Sequence, residues 1–280
     1  MRTVSFRRIV ETTADLVVSI NRKLPGETAR LIKAAYRRET DPVSRDYLDV
    51  ILKNMETAGR SGLPLCQDTG MAIVFVEMGS RVHADCGPFS NLEDVINEGI
   101  RNGSREGYLR PSVVTPVSRK NTGTNTPAVV HLLPVAEDVF RITVMAKGFG
   151  SENVSATKML KPSDGIGEIE MFVIETIRNA GPNPCPPVFV GIGIGGTFEK
   201  AALLAKTALA GIGGREQPEI VRLERKLLGS INRLGIGPGG FGGRTTALGV
   251  SIRTFPTHIA GLPVSVSISC WAHRKGSVCL

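Results

Sequence analysis

The feature of the sequence that most constrains the fold is a change in the spacing of apolar residues near position 60. Residues 1–60 carry apolar side chains three and four positions apart, which is the period of an amphipathic helix. Asp41 before Pro42 predicts the start of a helix, and Gly59 predicts its end. After Cys66 the sequence changes to short apolar runs rich in β-branched residues, which are typical of strands. We therefore expect helices first and a sheet region after them.

The region after position 60 combines strands with helices. The predicted strands cover residues 71–78, 128–135, 140–147, 186–194, 246–254 and 262–269. Helical patterns lie between some of them, over residues 166–181, 198–211 and 218–235. This order predicts the α+β class, with a helical part over 1–60 and a mixed sheet with helices packed on it over 61–280. Since no low-complexity linker or internal repeat divides the sequence, we expect one domain over residues 1–280.

The composition indicates a globular chain away from membranes. No run of about 18 uncharged apolar residues is present, which argues against a membrane-spanning helix. The N-terminal stretch is interrupted by Arg7, Arg8, Glu11 and Asp15, so we expect no signal peptide and a cytoplasmic protein.

The net charge of +8 is compatible with an anionic substrate, an acidic partner protein or nucleic acid. The basic residues are spread over predicted helices, where they are expected to face solvent. With three Tyr and one Trp, the chain also offers few rings on which bases could stack. Nucleic acid is therefore the least favoured of these partners.

Glycine-rich segments follow several predicted strands. They are KGFGSEN at 147–153, GIGIGGTFEK at 191–200 and GIGPGGFGG at 235–243. Glycine lets backbone amides approach a ligand closely, and three such segments at strand ends favour a rim that binds anions.

The second glycine segment also matches a dinucleotide-binding pattern. Gly191, Gly193 and Gly196 fit GxGxxG after a strand and before a helix. The second strand that should end in a ribose-binding acid is missing, and Glu216 lies at about the right distance but at no strand end. A nucleotide-dependent enzyme is thus one alternative for the function of this chain.

The chain has five widely spaced cysteines, a number and spacing unlike a secreted disulfide framework. Cys66, Cys185 and Cys270 each lie in a loop or at a strand end, where ligands and catalytic groups are common. Cys86 and Cys279 are interpreted as structural or incidental.

Three thiolates that converge would suit zinc or an iron–sulfur cluster. Zinc would need a fourth ligand, for which His258 and His273 are candidates. A cluster held by three cysteines keeps one iron without a protein ligand, and that iron can act as a Lewis acid. A non-catalytic thiolate–metal scaffold is a further alternative.

Six motifs in chain order resemble one enzyme family. They are GLPLCQDTGMAIVFVEMG, NTGTNTPAVVH, KGFGSENVSATKMLKPSDG, NPCPPVFVGIGIGGTFEKAALLAK, GIGPGGFGGRTTALGV and PTHIAGLPVSVSISCWAHR. Together they resemble the class I, iron–sulfur fumarate hydratase and L-tartrate dehydratase family, in its α subunit or N-terminal domain. Phe149 stands where the family usually has glycine, and Arg244 where lysine is common.

The resemblance implies a cofactor and a set of site residues. The cofactor is a [4Fe–4S] cluster bound by Cys66, Cys185 and Cys270. The resemblance places Gln67, Asp68 and the backbone amide of Gly150 at the substrate, pairs Arg110 with a substrate carboxylate, and places His258 close to the reacting centre. Asp68 and His258 are the candidate catalytic residues, since either could accept or relay a proton. The non-catalytic alternatives are a helix or turn cap for Asp68 and a core histidine for His258. The implied reaction is reversible hydration of a C4 dicarboxylate, first fumarate to malate and next tartrate to oxaloacetate.

The resemblance also implies a partner. In the family, further substrate-binding Arg and Lys residues and a proposed Thr base come from a β subunit or C-terminal domain. We therefore expect the chain to be inactive alone and to assemble with a separate β subunit as an α2β2 heterotetramer.

Overall fold

The computed structural model describes residues 2–213 and 217–280. The described residues form two compact units. The first draws on Met1–Gly26, Lys53–Phe149 and Arg274–Leu280, and the second on Glu27–Leu52 and Gly150–His273. The single domain expected over 1–280 stays a prediction.

The N-terminal part is helical, as the apolar spacing predicts. It contains α1 (Phe6–Arg22), α2 (Gly26–Arg38) and α3 (Pro42–Ser61). The Asp41 carboxylate caps α3, since its Oδ1 accepts the amide of Ser44 at 2.8 Å. The predicted end at Gly59 is wrong. The helix runs on to Ser61 and stops before Gly62, whose φ of 71° is the left-handed conformation that ends helices.

The first unit is built around a four-stranded sheet. Its strands are β2 (Met71–Gly79), β4 (Val129–Val135), β5 (Phe140–Lys147) and β10 (Arg274–Cys279), in the order β10–β5–β2–β4. β5 is antiparallel to both of its neighbours, whereas β4 is parallel to β2. A smaller parallel pair joins β1 (Arg2–Val4) to β3 (Val82–Ala84).

Helix α1 packs against α4 (Leu92–Glu106) in the first unit. The sequence did not predict α4, because Gly99 and Gly103 weaken its helical pattern. These glycines allow the close packing: a Cβ on Gly99 would lie 2.6 Å from Cβ of Thr13, and one on Gly103 would lie 2.6 Å from the carbonyl oxygen of Ala14. Apolar side chains of both helices and of the sheet form the core, including Ile9, Val17, Val74, Ile96, Ile100 and Ile142.

The second unit contains another four-stranded sheet. Its strands are β6 (Ala156–Leu160), β7 (Val188–Gly195), β8 (Ala247–Phe255) and β9 (Leu262–Ser269), in the order β6–β9–β7–β8. β8 runs parallel to β7, and β9 antiparallel to β7 and β6. The helices here are α6 (Gly165–Ala180), α7 (Phe198–Ala210) and α8 (Pro218–Asn232). Short 3-10 turns cover Pro162–Asp164 and Pro238–Gly240, and a one-turn helix, α5, covers Phe149–Glu152.

The α+β class is confirmed, as are the six predicted strands and the three helices predicted after position 60. The strands β1, β3, β6 and β10 were not predicted, because each is short or carries polar residues. Among the described residues, no helix is long and apolar enough to cross a membrane.

Candidate active site

The segment Cys66–Gly70, here called the CQDTG loop, lies between α3 and β2 in the first unit. The side chain of Gln67 is exposed, those of Cys66 and Asp68 are half-buried, and Thr69 and Gly70 are buried. The loop therefore presents a thiol, an amide and a carboxylate at a surface and fixes its far end in the core.

The Asp68 carboxylate is held by main-chain donors. Its Oδ1 accepts the amide of Gly70 at 2.8 Å, and its Oδ2 accepts the amide of Phe149 at 2.9 Å. The carboxylate thus caps a turn, as a non-catalytic interpretation would have it. Each oxygen keeps a further lone pair, so the turn cap and the predicted catalytic role are compatible.

Gly70 is required by the path of the chain. Its φ is 72°, and a Cβ at this position would lie 2.4 Å from the carbonyl oxygen of Lys147. Any larger residue would combine backbone strain with a collision against a main chain in the sheet.

Arg274 and two asparagines fix the main chain on both sides of Cys66 and Gln67. Arg274 donates from Nη2 to the carbonyl oxygen of Asp68 at 2.7 Å and from Nη1 to Oδ1 of Asn21 at 2.8 Å. The carbonyl of Asn21 accepts the amide of Leu65 at 2.7 Å, and Nδ2 of Asn54 donates to the carbonyl of Leu65 at 2.9 Å. Sequence reasoning missed these residues, since no spacing rule connects positions 21, 54 and 274.

The predicted substrate-binding Arg110 is exposed. Its backbone is tied to the CQDTG loop, because the Thr69 hydroxyl donates to the Arg110 carbonyl at 2.8 Å. The structure thus brings Arg110 next in space to the loop that carries Gln67 and Asp68, while its guanidinium stays open to solvent.

In the second unit, Cys185 and Cys270 lie at the same end of the sheet. Cys185 precedes β7 and Cys270 follows β9, and the register pairs Phe189 near the start of β7 with Ser269 at the end of β9. The carbonyl of Cys185 accepts the amide of Trp271 at 3.4 Å. Antiparallel pairing therefore brings together two of the three predicted ligands.

The two histidines considered as ligands differ sharply. His273 is buried, with Nδ1 3.0 Å from Oγ of Ser269 and Nε2 2.9 Å from the carbonyl of Leu209, and it stacks on Phe189. Both of its ring nitrogens are engaged within the core, which contradicts the idea of a zinc ligand. His258 is exposed in the turn between β8 and β9, and its Nδ1 accepts the amide of Ala260 at 3.2 Å.

Gly150 is exposed and belongs to a segment anchored by an ion pair. Glu152, two residues on, pairs with the ammonium of Lys206 on α7. Burial lowers the pKa of Lys206 from its ordinary value of 10.5, and the charge of Glu152 opposes this shift. The pair fixes the end of α5 against α7.

The glycine segments have internal packing roles. Gly191 and Gly193 lie within β7, where a Cβ would come within 2.3 Å and 2.0 Å of carbonyl oxygens of α7. They allow helix–strand packing, which weakens the dinucleotide interpretation; Glu216 lies outside the described residues. In the third segment the amide of Gly239 donates to the carbonyl of Pro186 at 2.8 Å. This amide of the expected anion-binding rim is therefore hydrogen-bonded within the chain.

Phe149 and Arg244 are the two departures from the family pattern, and the backbone amide of each donates a hydrogen bond to a carboxylate. Phe149 binds Asp68 through its amide, while its ring is exposed. The amide of Arg244 donates to Oε2 of the buried Glu39 at 2.9 Å, and its Nε donates to the hydroxyl of Thr40 at 3.1 Å.

All five cysteines are among the described residues, and none is part of a disulfide. Across 2–213 and 217–280, no three side chains of His, Cys, Asp and Glu are gathered as ligands of a single metal ion. Cys86 packs at the edge of the first unit's core, and Cys279 is exposed on β10.

Comparison with known proteins gives the family. The family model described as fumarate hydratase (Fumerase) matches residues 10–279. A Methanocaldococcus jannaschii protein named "Putative L(+)-tartrate dehydratase subunit alpha" is 43% identical over 273 residues, which is 94% of this chain and 95% of that protein. The L(+)-tartrate dehydratase subunit alpha of Escherichia coli K12 is 32% identical over 278 residues, covering 97% and 90%. The chain belongs to the fumarate hydratase (Fumerase) family and is a hydro-lyase of that family.

Proposed function

We propose that this chain is the α subunit of a hydro-lyase that reversibly hydrates a C4 dicarboxylate, with fumarate and malate as the first candidate pair. The observation that carries the proposal is the family match over residues 10–279. The anchored CQDTG loop supports it, because a thiol, an amide and a carboxylate stand together at a surface.

Tartrate is the second candidate substrate. Both relatives described above carry the name of an L(+)-tartrate dehydratase α subunit. Tartrate and malate differ by one hydroxyl, so a site that holds two carboxylates and one hydroxyl could accept either until a further group selects between them.

Cys66, Cys185 and Cys270 would hold the [4Fe–4S] cluster. The donor set fits, since all three are thiols outside disulfides and lie in loops beside strands. When bound, the cluster supplies a Lewis-acidic iron that polarises a substrate hydroxyl and carboxylate. A cluster of four irons also needs its thiolates further apart than the ligands of one ion.

Gln67 and Arg110 would bind and orient the substrate. The exposed amide of Gln67 can donate to one carboxylate and accept from a hydroxyl. The planar guanidinium of Arg110 matches a carboxylate in a two-point ion pair, and the backbone amide of Gly150 would add one more donor.

Asp68 and His258 would handle protons. The two amides on Asp68 hold its carboxylate in one orientation, ready to accept or relay a proton at a remaining lone pair. Nδ1 of His258 accepts the Ala260 amide, so the neutral ring carries its proton on Nε2 and offers it as a donor.

A separate β subunit would complete the site in an α2β2 assembly. Both relatives are named as α subunits, which supports the existence of a partner chain. The proposed location is the cytoplasm.

Anaerobic co-expression with the product of the adjacent reading frame tests the proposal. The complex should be brown and should consume fumarate or tartrate, whereas the α chain alone should not turn over. Cys66→Ser should lose colour and activity, and Cys279→Ser, at an exposed cysteine outside the proposed set, should keep both. A colourless zinc protein, or a coloured complex inactive on every C4 diacid, would contradict the proposal.

A further inference from the structure

The main chain around Cys66 and Gln67 is fixed at two points, and a buried cation lies between them. One point is Leu65, whose amide and carbonyl are bound by Asn21 and Asn54. The other is the carbonyl of Asp68, bound by Arg274. The bond from Arg274 to Oδ1 of Asn21 connects the two points. Hydrogen bonds through Asn21 and Arg274 therefore join Leu65, before Cys66, to Asp68, after Gln67, and this set of bonds is called the bridge.

The bridge is almost closed to solvent. Arg274 is 1% exposed and Asn21 is 2% exposed. Nε of Arg274 has no hydrogen-bond partner among the described residues, which adds to the cost of burying the charge. An isolated buried cation is costly, and such groups can be retained because they select one conformation. Here the selected conformation is that of the CQDTG loop, since the guanidinium donates both to the carbonyl of Asp68 and to Asn21 near the end of α1.

We propose that Arg274 is a positioning residue which, with Asn21, holds the CQDTG loop in the single conformation that presents Cys66, Gln67 and Asp68. The roles of those three residues rest on the proposed function. The bridge itself does not, and it can be tested in the cluster-free chain. Without the bridge, the loop would open locally while the sheet beside it stays formed.

Two substitutions at Asn21 separate the bridge from simple packing. Asn21→Leu removes the acceptor for Arg274, and Asn21→Asp keeps an acceptor oxygen at the same place. Both lose the Nδ2 donor that bonds to the carbonyl of Val17 at 2.9 Å, and Asn21→Asp places an acceptor oxygen there instead. A native-like Cys66 rate in Asn21→Asp would therefore be due to the retained acceptor for Arg274. Arg274→Lys is the third variant, because an ammonium keeps the charge and cannot reach two acceptors through a planar fork.

The readout is the alkylation rate of Cys66 in the full-length cluster-free chain, measured peptide by peptide with Cys185 as internal reference. Loss of a hydrogen bond to a charged donor predicts a rise of about tenfold or more in Asn21→Leu and Arg274→Lys. Asn21→Asp should stay close to the native rate. Ser277→Ala is the matched control, since Ser277 is also on β10 and bonds to the hydroxyl of Thr143 at 2.9 Å, away from the loop. It should leave Cys66 unchanged.

Exchange of the Leu65 and Gly70 amides gives a second measurement, and should accelerate in the same two variants. If Arg274→Lys does not fold, the Asn21 pair decides alone, with Asn54→Ala as a milder variant. Equal Cys66 rates in Asn21→Leu, Asn21→Asp and the native chain would overturn the inference.

Activity of the assembled enzyme distinguishes this inference from the proposed function. If the native complex is active, Asn21→Leu should lower kcat and raise KM, and Asn21→Asp should recover most of both, because the bridge positions Asp68 and Gln67. An inactive native complex would refute the proposed function and leave the alkylation test intact.

Discussion

The CQDTG loop of the first unit and the turn 256–261 of the second unit carry the two predicted proton-transfer residues in contrasting surroundings. Around Asp68, amides, carbonyls and a buried guanidinium fix the chain. Around His258, residues 254–260 are all exposed, and Ile259 is 89% exposed. The turn is held by the Thr257 hydroxyl bonding to the Gly196 carbonyl and by bonds within the turn. The contrast teaches that contacts within this chain fix Asp68 in a partly buried loop, whereas His258 lies in an exposed turn.

The strongest test of the contrast is Gly70→Ala. The left-handed φ and the 2.4 Å approach to the Lys147 carbonyl should together cost about 3 kcal/mol or more of unfolding free energy. Gly123→Ala is the matched control, because Gly123 has φ of 77° and open space around its Cβ. It should cost about 1–2 kcal/mol. Urea unfolding measures both, and equal losses would show that the collision is relieved.

Replacement of the two proton-transfer residues tests the contrast directly. Asp68→Ala leaves the amides of Gly70 and Phe149 without their acceptor and should cost about 1–3 kcal/mol of stability. His258→Ala removes an exposed side chain and should stay within about 0.5 kcal/mol of the native chain. Both variants are expected to reduce activity, so only stability separates them. A large loss in His258→Ala would contradict our account of the turn.

The sequence predicted the features that depend on patterns within one segment, and it did not predict contacts between residues far apart in the chain. Apolar runs within one segment predicted β2, β5, β7 and β9, because each strand buries its own side chains. The sequence also placed Cys185 before one predicted strand and Cys270 after another, and antiparallel pairing of these strands puts both cysteines at the same end of the sheet. The bridge was not predicted, since Asn21 and Arg274 are 253 positions apart and no local pattern connects them.

The ion pair near Gly150 shows that the second unit also has an anchored region. Lys206→Met would remove the ammonium that pairs with the Glu152 carboxylate and should cost about 1–2 kcal/mol of unfolding free energy near neutral pH, less than the loss of a fully buried pair. Since burial lowers the folded-state pKa of Lys206, the unfolded chain binds the proton more tightly. Native stability should therefore rise as pH increases from the folded pKa toward 10.5, and this rise should be absent in the variant. Urea midpoints at increasing alkaline pH measure it.

The smallest expected effect on stability is at His131 on the edge strand β4. The burial of His131 is intermediate between that of the fixed CQDTG loop and that of the exposed turn 256–261. Its ring stacks on Phe75 with centroids 5.2 Å apart, and burial lowers its pKa from the ordinary 6.5. Because the folded state disfavours the charged ring, the unfolded chain binds more protons at acid pH. The contribution of His131 to native stability should be constant above pH 6.5 and should fall as the pH drops below it toward the folded pKa. His131→Gln should remove this decline, and His83→Gln, at an exposed position on β3, should keep it. An unchanged decline in His131→Gln would mean that water at the edge strand β4 hydrates the imidazolium. In solvent access, β4 would then resemble the exposed turn 256–261.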